Sequence, residues 1–422
     1  MSDQDIPKET RAFFDHPGCV VNVGLVSFGE ALRRQNVEVI HVDWHPPKIE
    51  IEPSPATRLA NMEAWEQLDA GEPRLLGVRP AGEVIVGWPE RTVICPGPPI
   101  PEGAVLPPAL ADRVVSALLV EGWANDFEEG SQLLVDAKVS LAPSAAWNAV
   151  LPAFTVLSPS TLVFVVEDKD GRRAFGPLWQ SPADGASELS SRNALARSLD
   201  AALIAVGGLD LVELAKLGLS VGDAGYGPGP AGRAILFLHL VGLLTQVEEK
   251  VPARWLDLLR GESQLYLHLL LPMARLLSNR VVRPEASLVT RMGGNGLGFG
   301  LAIGSEWVVS SPVSPKLAFV GDDPMLEVIG LGAMALAGSP SLALHLGMRP
   351  AEGIQMTLEM YEITQGASHR WQIPLLEPRG VPMGLNSWYV LDSGLLPSVV
   401  CRTGTSWELM PVPEELFRTA LT

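Results

Sequence analysis

The stretch "CVVNVGLVSFGEALRRQNVEVIHVDWHPP", residues 19–47, decides the fold class. Its apolar run at 20–26 is followed by a helical segment at 28–35, with Leu32 turned inward. Residues 37–43 alternate as a second strand until Pro46 and Pro47 stop it. Strand, short helix and strand at this length make a βαβ unit, and a crossover of that kind returns the chain parallel to its first strand. Sheets of this type hold ligands beyond the carboxyl ends of their strands, which points to the loops at Ser27–Gly29 and Asp43–His45.

Upstream, residues 1–17 are polar and aperiodic, as in a loose arm. Downstream, Ser54 caps a predicted helix over 55–68, and short strands are expected at 75–78, 83–88 and 92–101. Pro96, Pro98, Pro99 and Pro101 stiffen an extended segment that marks a boundary. Residues 109–135 read as helix, 162–168 as strand and 188–206 as amphipathic helix. From 209 to 277 the pattern is mostly helical, broken by a Gly/Pro loop at 222–232. Two strands at 286–292 and 297–304 flank Gly293–Gly296, and a third continues from 306. Helices over 325–337 and 350–364, then mixed strands at 373–386 and 397–402, complete the chain. The expected architecture is therefore α/β: an N-terminal α/β domain with a βαβ parallel-sheet portion (18–105), a central mainly helical domain (106–284) and a C-terminal mixed α/β domain (285–422).

Charged residues make up only 19% of the 422, against 47% hydrophobic, so much of the surface is expected to lie in the core or against partners. A net charge of −17 with no basic block excludes a phosphate-backbone binder, so no nucleic-acid partner is expected. Of 31 cations, 24 are Arg, which suits planar carboxylates and phosphates but equally follows from a GC-rich genome. Cys19, Cys95 and Cys401 are far apart, without metal-ligand spacing, and imply a reduced, cytoplasmic home. The longest apolar run, Ala234 to Leu244, is too short for a bilayer, so no membrane association is expected.

Three places invite a chemical reading. "TRMGGNGLGFGLAIG" (290–304) is dense in glycine but puts Phe299 where a G-x-G-x-x-G loop needs its third glycine. Asn295-Gly296 instead suits a type I′ hairpin turn, whose bare face admits a ligand or another backbone. "GYGPGPAGR" does match, through Gly227, Gly229 and Gly232 with Arg233 beside the helix start, and is read either as an anion loop or as a stiff helix lead-in. His41, Asp43 and His45 share one face of a strand end, where a metal triad competes with a solvated terminus. Glu128-Glu129 and Asp322-Asp323 read as solvated turns, Asp322 also as a helix cap. No cofactor fingerprint is present.

Beyond these motifs, "NVGLVSFGEALRRQNVEVIHVDWHPP", "PGPPI", "LLVEGWAND", "SPSTLVFVVED", "RMGGNGLGFGL", "EVIGLGAMALAGSP", "EITQG" and "IPLLEPRGVPMGLN" fall in order from about residue 19 to 400. In these stretches the chain resembles the YlbE-like family, the AllG subunits of oxamate carbamoyltransferase. The resemblance implies reversible carbamoyl transfer between carbamoyl phosphate and oxamate, performed with FdrA-like and AllH-like partner subunits. It also exposes departures. Ala145, Ala146 and Trp147 stand where the family carries histidines, and Asn148 where it carries an acid. Ala224-Gly225-Tyr226-Gly227-Pro228 replaces a polar run, Gly294 and Gly298 replace an arginine and a glutamate, and Asn386 replaces an acid.

Glu327 remains, and with Arg291 it is the candidate catalytic pair; Gly227, Gly229, Gly232, Arg233, Asn295 and Gly296 are the candidate ligand contacts. Carbamoyl transfer needs cations on phosphate, donors on the developing oxyanion and a proton carrier at nitrogen. Losing His, Arg and acids together describes a non-catalytic scaffold or regulatory paralogue, acting with FdrA-like and AllH-like subunits, an intact paralogue or its own copies. The alternatives are an active carbamoyl- or acyl-transfer enzyme of altered chemistry on an anionic small molecule, and a binding module at the crevice near Ser27 and Asp43.

Overall fold

The βαβ reading holds. In a computed structural model describing residues 20–23, 26–42, 52–180, 186–226, 231–310, 318–403 and 406–421, β1 (Val20–Val23) and β2 (Val39–Val42) pair in parallel, Val20 opposite Val39. The helix Val26–Arg33 joins them, and Arg33 reaches back to donate to the Val39 carbonyl at 3.2 Å. This segment and Asp392–Gly394 form a small unit, and the rest of the chain from residue 52 onward forms a second, much larger one. Ser27–Gly29, expected in a loop, lies inside the helix, and Asp43–His45 lie outside the described residues.

The larger unit opens with the helix Pro55–Asp69, capped as expected by Ser54, whose Oγ accepts the Thr57 N–H at 3.0 Å. It then lays down β3 (Arg74–Pro80), β4 (Thr92–Cys95), β5 (Ser140–Pro143), β6 (Leu162–Glu167), β7 (Arg173–Pro177) and β8 (Leu209–Asp210). β7-β6-β3-β8 form an antiparallel sheet, while β4 and β5 form a second parallel pair. The strand expected at 83–88 is instead a helical turn, Ala81–Val84. The Ala81 and Gly82 N–H groups bond to Thr161 and Pro159 carbonyls, so this backbone is paired off before it can extend β3.

The helical stretch after residue 186 is as expected, with helices Ala186–Val206, Leu211–Ser220, Ala231–Val247, Ala253–Gly261 and Leu265–Ser278. Every residue of Leu265–Ser278 is buried, including Arg275, and it packs on β6 and β7. Its Pro272 has no N–H for the His268 carbonyl; the carbonyl and the proline ring both press on Gly176 of β7, where a Cβ would come within 2.8 Å of either.

Next, β9 (Val289–Asn295), β10 (Phe299–Ile303), β11 (Glu306–Ser310) and β12 (Val320–Gly321) form a sheet in the order β11-β10-β9-β12. The expected helix over 325–337 is interrupted: Met325–Val328 is α-helical, Gly330 and Gly332 take positive φ, and a tighter helix resumes at Gly332–Gly338. The helix from Pro350 ends at Met360, because Thr364 already belongs to β13 (Thr364–Ile373), which pairs with β14 (Arg379–Leu385). β15 (Ser398–Thr403) and β16 (Ser406–Pro411) make the last hairpin.

Candidate functional site

Two apolar stretches meet at "GDDPMLE", residues 321–327, and carry three acids into the interior. Asp322 is 3% exposed, while Asp323 and Glu327 are fully buried. The acid pair is therefore no solvated turn. Gly321 drops Asp322 against the loop before β6, where the Asp322 N–H donates to the Leu151 carbonyl at 2.7 Å. One Asp322 oxygen accepts the Gly97 N–H at 2.7 Å; the other accepts the Ser144 hydroxyl at 2.8 Å and the Leu151 N–H at 2.9 Å. Burial nevertheless raises its pKa to about 6, partly offset by these donors and by Arg275. Asp323 accepts the Ala153 N–H at 3.1 Å and is held well above the usual carboxylate range by burial.

Glu327 sits deeper. One oxygen accepts the Ala333 and Val400 N–H groups at 3.0 and 3.1 Å, and the Tyr226 hydroxyl lies 2.9 Å from the other. Burial raises its pKa to about 7, so it gains or loses a proton near neutrality. Burial, and then the charge of Glu327, push the Tyr226 hydroxyl well up.

Arg275 and Arg291 face Asp322 across a cavity of about 10 Å³, also lined by Ser144, Ala145 and Trp307. Arg275 donates to the Ala145 carbonyl at 2.9 Å, and Arg291 to the Ser305 carbonyl at 3.4 Å. Among the described residues neither Nε has an acceptor. Burial, with Arg291 nearby, lowers the Arg275 pKa to about 9, against the pull of Asp322. The cavity admits about one water, so it has no space for a larger anion. Ala145 forms part of the cavity wall.

The structure thus brings Arg291 close to Asp322 but gives Glu327 a separate set of partners. Asn295 spends all four of its amide hydrogen-bonding positions on its own chain. Its Nδ2 donates to the Pro98 and Pro99 carbonyls at 3.0 and 3.4 Å, and its Oδ1 accepts the Leu297 and Gly298 N–H groups at 2.9 and 3.0 Å. The turn is displaced by one residue from the type I′ expectation. The Asn295 N–H bonds to the Gly298 carbonyl, and Gly296 at φ 80° with Leu297 forms the corner. Gly227 and Gly229 lie outside the described residues. Gly232 donates its N–H to Asp223 at 3.0 Å, so the chain's own carboxylate takes the anion's place at the helix start beside Arg233. His41 Nδ1 accepts from Asn22 at 2.8 Å, and its expected co-ligands fall outside the described residues. Among the described residues no group of three or more His, Cys, Asp and Glu is placed to hold a metal ion.

Sequence reasoning misses Arg275 and Ser144 and places Asp322 and Asp323 in a solvated turn; all four are buried. A usable signal was present: Arg275 is a lone cation in "LYLHLLLPMARLL", and both aspartates stand between apolar runs.

Fold and polar centre together define a mixed α/β protein whose chemistry-bearing residues gather around one buried acid loop. Residues 189–330, which hold Arg275, Arg291, Asn295, Asp322 and Glu327, match the family model described as "Oxamate carbamoyltransferase subunit AllG". The chain is 27% identical over 373 residues to the oxamate carbamoyltransferase subunit AllG of Escherichia coli (strain K12), covering 81% of this chain and 89% of that protein. It is 26% identical over 433 residues to the uncharacterized protein YahG of the same organism, covering 92% of each. A crystal structure of a conserved protein of unknown function from Enterococcus faecalis V583 shares the fold, with a TM-score of 0.78, 23% identity and coverage of 88% of this chain and 98% of that one. The resemblance to the AllG family, first read from scattered motifs, holds.

Proposed function

We propose that this chain is a cytoplasmic, AllG-like subunit that keeps the fold of a carbamoyltransferase component without its chemistry. It serves as a scaffold or regulatory paralogue beside FdrA-like and AllH-like subunits, an intact paralogue or copies of itself. The observation that carries this reading is the closed Arg275–Asp322–Arg291 centre, whose cavity of about 10 Å³ has no room for carbamoyl phosphate. Two further features support it. The Asp322 oxygens are engaged by Gly97, Ser144 and Leu151 of the same chain. At Ala145 and Ala146 no group remains to carry a proton or hold a phosphate. Cys95 and Cys401 are free, buried thiols, which suits a reducing compartment.

The test is direct. The purified chain is incubated with carbamoyl phosphate and oxamate, and its thermal unfolding is followed with carbamoyl phosphate and with plain phosphate. No turnover and no saturable stabilisation are expected. Stabilisation that saturates and disappears in Arg291→Ala or Arg233→Ala overturns the silent-scaffold reading. A second reading, carbamoyl or acyl transfer of altered chemistry on an anionic small molecule, is favoured by Glu327, whose pKa of about 7 suits proton transfer. It requires turnover that Glu327→Gln abolishes.

A further inference from the structure

Away from the acid centre, a cavity of about 210 Å³ lies between the helix Pro108–Val120, the loop 154–162, Trp179–Gln180 and the helix Ala186–Val206. Its walls are mainly apolar, with Phe154, Val156, Leu162 and Leu189 among them. Phe154 takes φ 57°, a backbone conformation that a bulky residue adopts only under constraint. Its N–H donates to the Val320 carbonyl at 3.1 Å, and the Gln180 amide donates to the neighbouring Ala153 carbonyl at 3.0 Å. The loop therefore has its conformation fixed from two sides.

One cation on this cavity has no acceptor among the described residues. Arg113 is half-buried and, among the described residues, makes no hydrogen bond or ion pair. Trp179 is 8% exposed; its indole nitrogen is closed off from the cavity and, among the described residues, has no acceptor. The guanidinium of Arg192 lies 4.8 Å from the centre of the Trp179 ring, which holds the indole in place. Beyond Trp179, Gln180 and Arg192 a larger, more polar cavity of about 440 Å³ adjoins this one.

An unpartnered guanidinium set in an apolar wall suits a ligand with one planar acceptor group and a compact apolar body. We propose that this cavity binds a small monocarboxylate bearing an aromatic ring or branched hydrocarbon chain, with its carboxylate on Arg113 and its apolar part against Phe154 and Leu162. One unpaired cation matches one negative charge; a phosphate would leave further charge against hydrocarbon. The site needs neither turnover nor a partner subunit, so its success or failure is separate from that of the scaffold reading.

Isothermal titration of the full chain with benzoate tests it, with benzamide as the neutral isostere. Saturable benzoate binding at one site is expected, weakened about tenfold or more in Arg113→Met and similarly weak for benzamide. Among the described residues Arg113 makes no hydrogen bond or ion pair, so that variant removes none, and methionine keeps the length of the stem. Ala117→Phe, which fills the cavity from the helix, is a second route and is expected to abolish binding. Absence of saturable benzoate binding, equal affinity for benzamide, or unchanged affinity in Arg113→Met would each overturn the assignment.

Discussion

The side chain of Glu327 has exchanged water for two backbone N–H groups and a tyrosine hydroxyl, and Glu327→Gln measures the cost. Burial raises its pKa from 4.5 to about 7. That gap corresponds to about 3 kcal/mol of differential stabilisation between the two protonation states. The folded protein holds this proton more tightly than the unfolded chain. The resulting stability is fully present below the ordinary glutamate pKa, falls as pH rises towards 7 and is flat above it. Glutamine keeps an acceptor for the Ala333 and Val400 N–H groups and cannot ionise. Relative to the wild type, Glu327→Gln is therefore expected to gain roughly 2–3 kcal/mol between about pH 5 and about pH 8. Asp322 also titrates here, with a pKa raised to about 6, but it does so in both proteins and cancels in the comparison. Urea unfolding of both proteins across that range, followed by circular dichroism and tryptophan fluorescence, reads the difference. A variant-minus-wild-type stability that stays constant with pH refutes a buried, proton-holding Glu327.

Gly294→Ala places a Cβ 2.3 Å from the Phe319 carbonyl and is expected to cost about 3 kcal/mol or more, read as a drop in unfolding midpoint. Asn295→Ala strands the Leu297 and Gly298 N–H groups and the Pro98 and Pro99 carbonyls. A loss of about 2–4 kcal/mol in chemical denaturation is expected.

Local patterns in the sequence carried most of the fold. The βαβ unit, the Ser54 cap and the long helices each follow from spacing and capping chemistry that act within a few residues. What misled was tertiary. Residues 83–88 have a strand-like composition, but bonds to Thr161 and Pro159 wind the start of that segment into a turn. The break at Ile329–Leu331 inside the small-residue stretch follows from packing around Glu327, whose acceptor oxygen pulls the Ala333 N–H towards it. The site was legible by residue type more than by position: Glu327 and Arg291 were singled out, yet they have different neighbours. Asp322 was legible only as a cap because its partners, Gly97 and Ser144, lie 225 and 178 residues away.

The crossing of three backbones at the hairpin leaves no room for side chains at the glycines that form it. A Cβ on Gly97 would stand 2.4 Å from the Gly294 carbonyl carbon, and one on Gly294 would stand 2.3 Å from the Phe319 oxygen. Gly321, further along, rests on Ala153, where a Cβ would come within 2.8 Å of the Cα. A side chain at any one of these glycines would meet backbone, which cannot turn aside as a rotamer can, so the Gly97 loop, the hairpin and the lead-in to β12 can change only together.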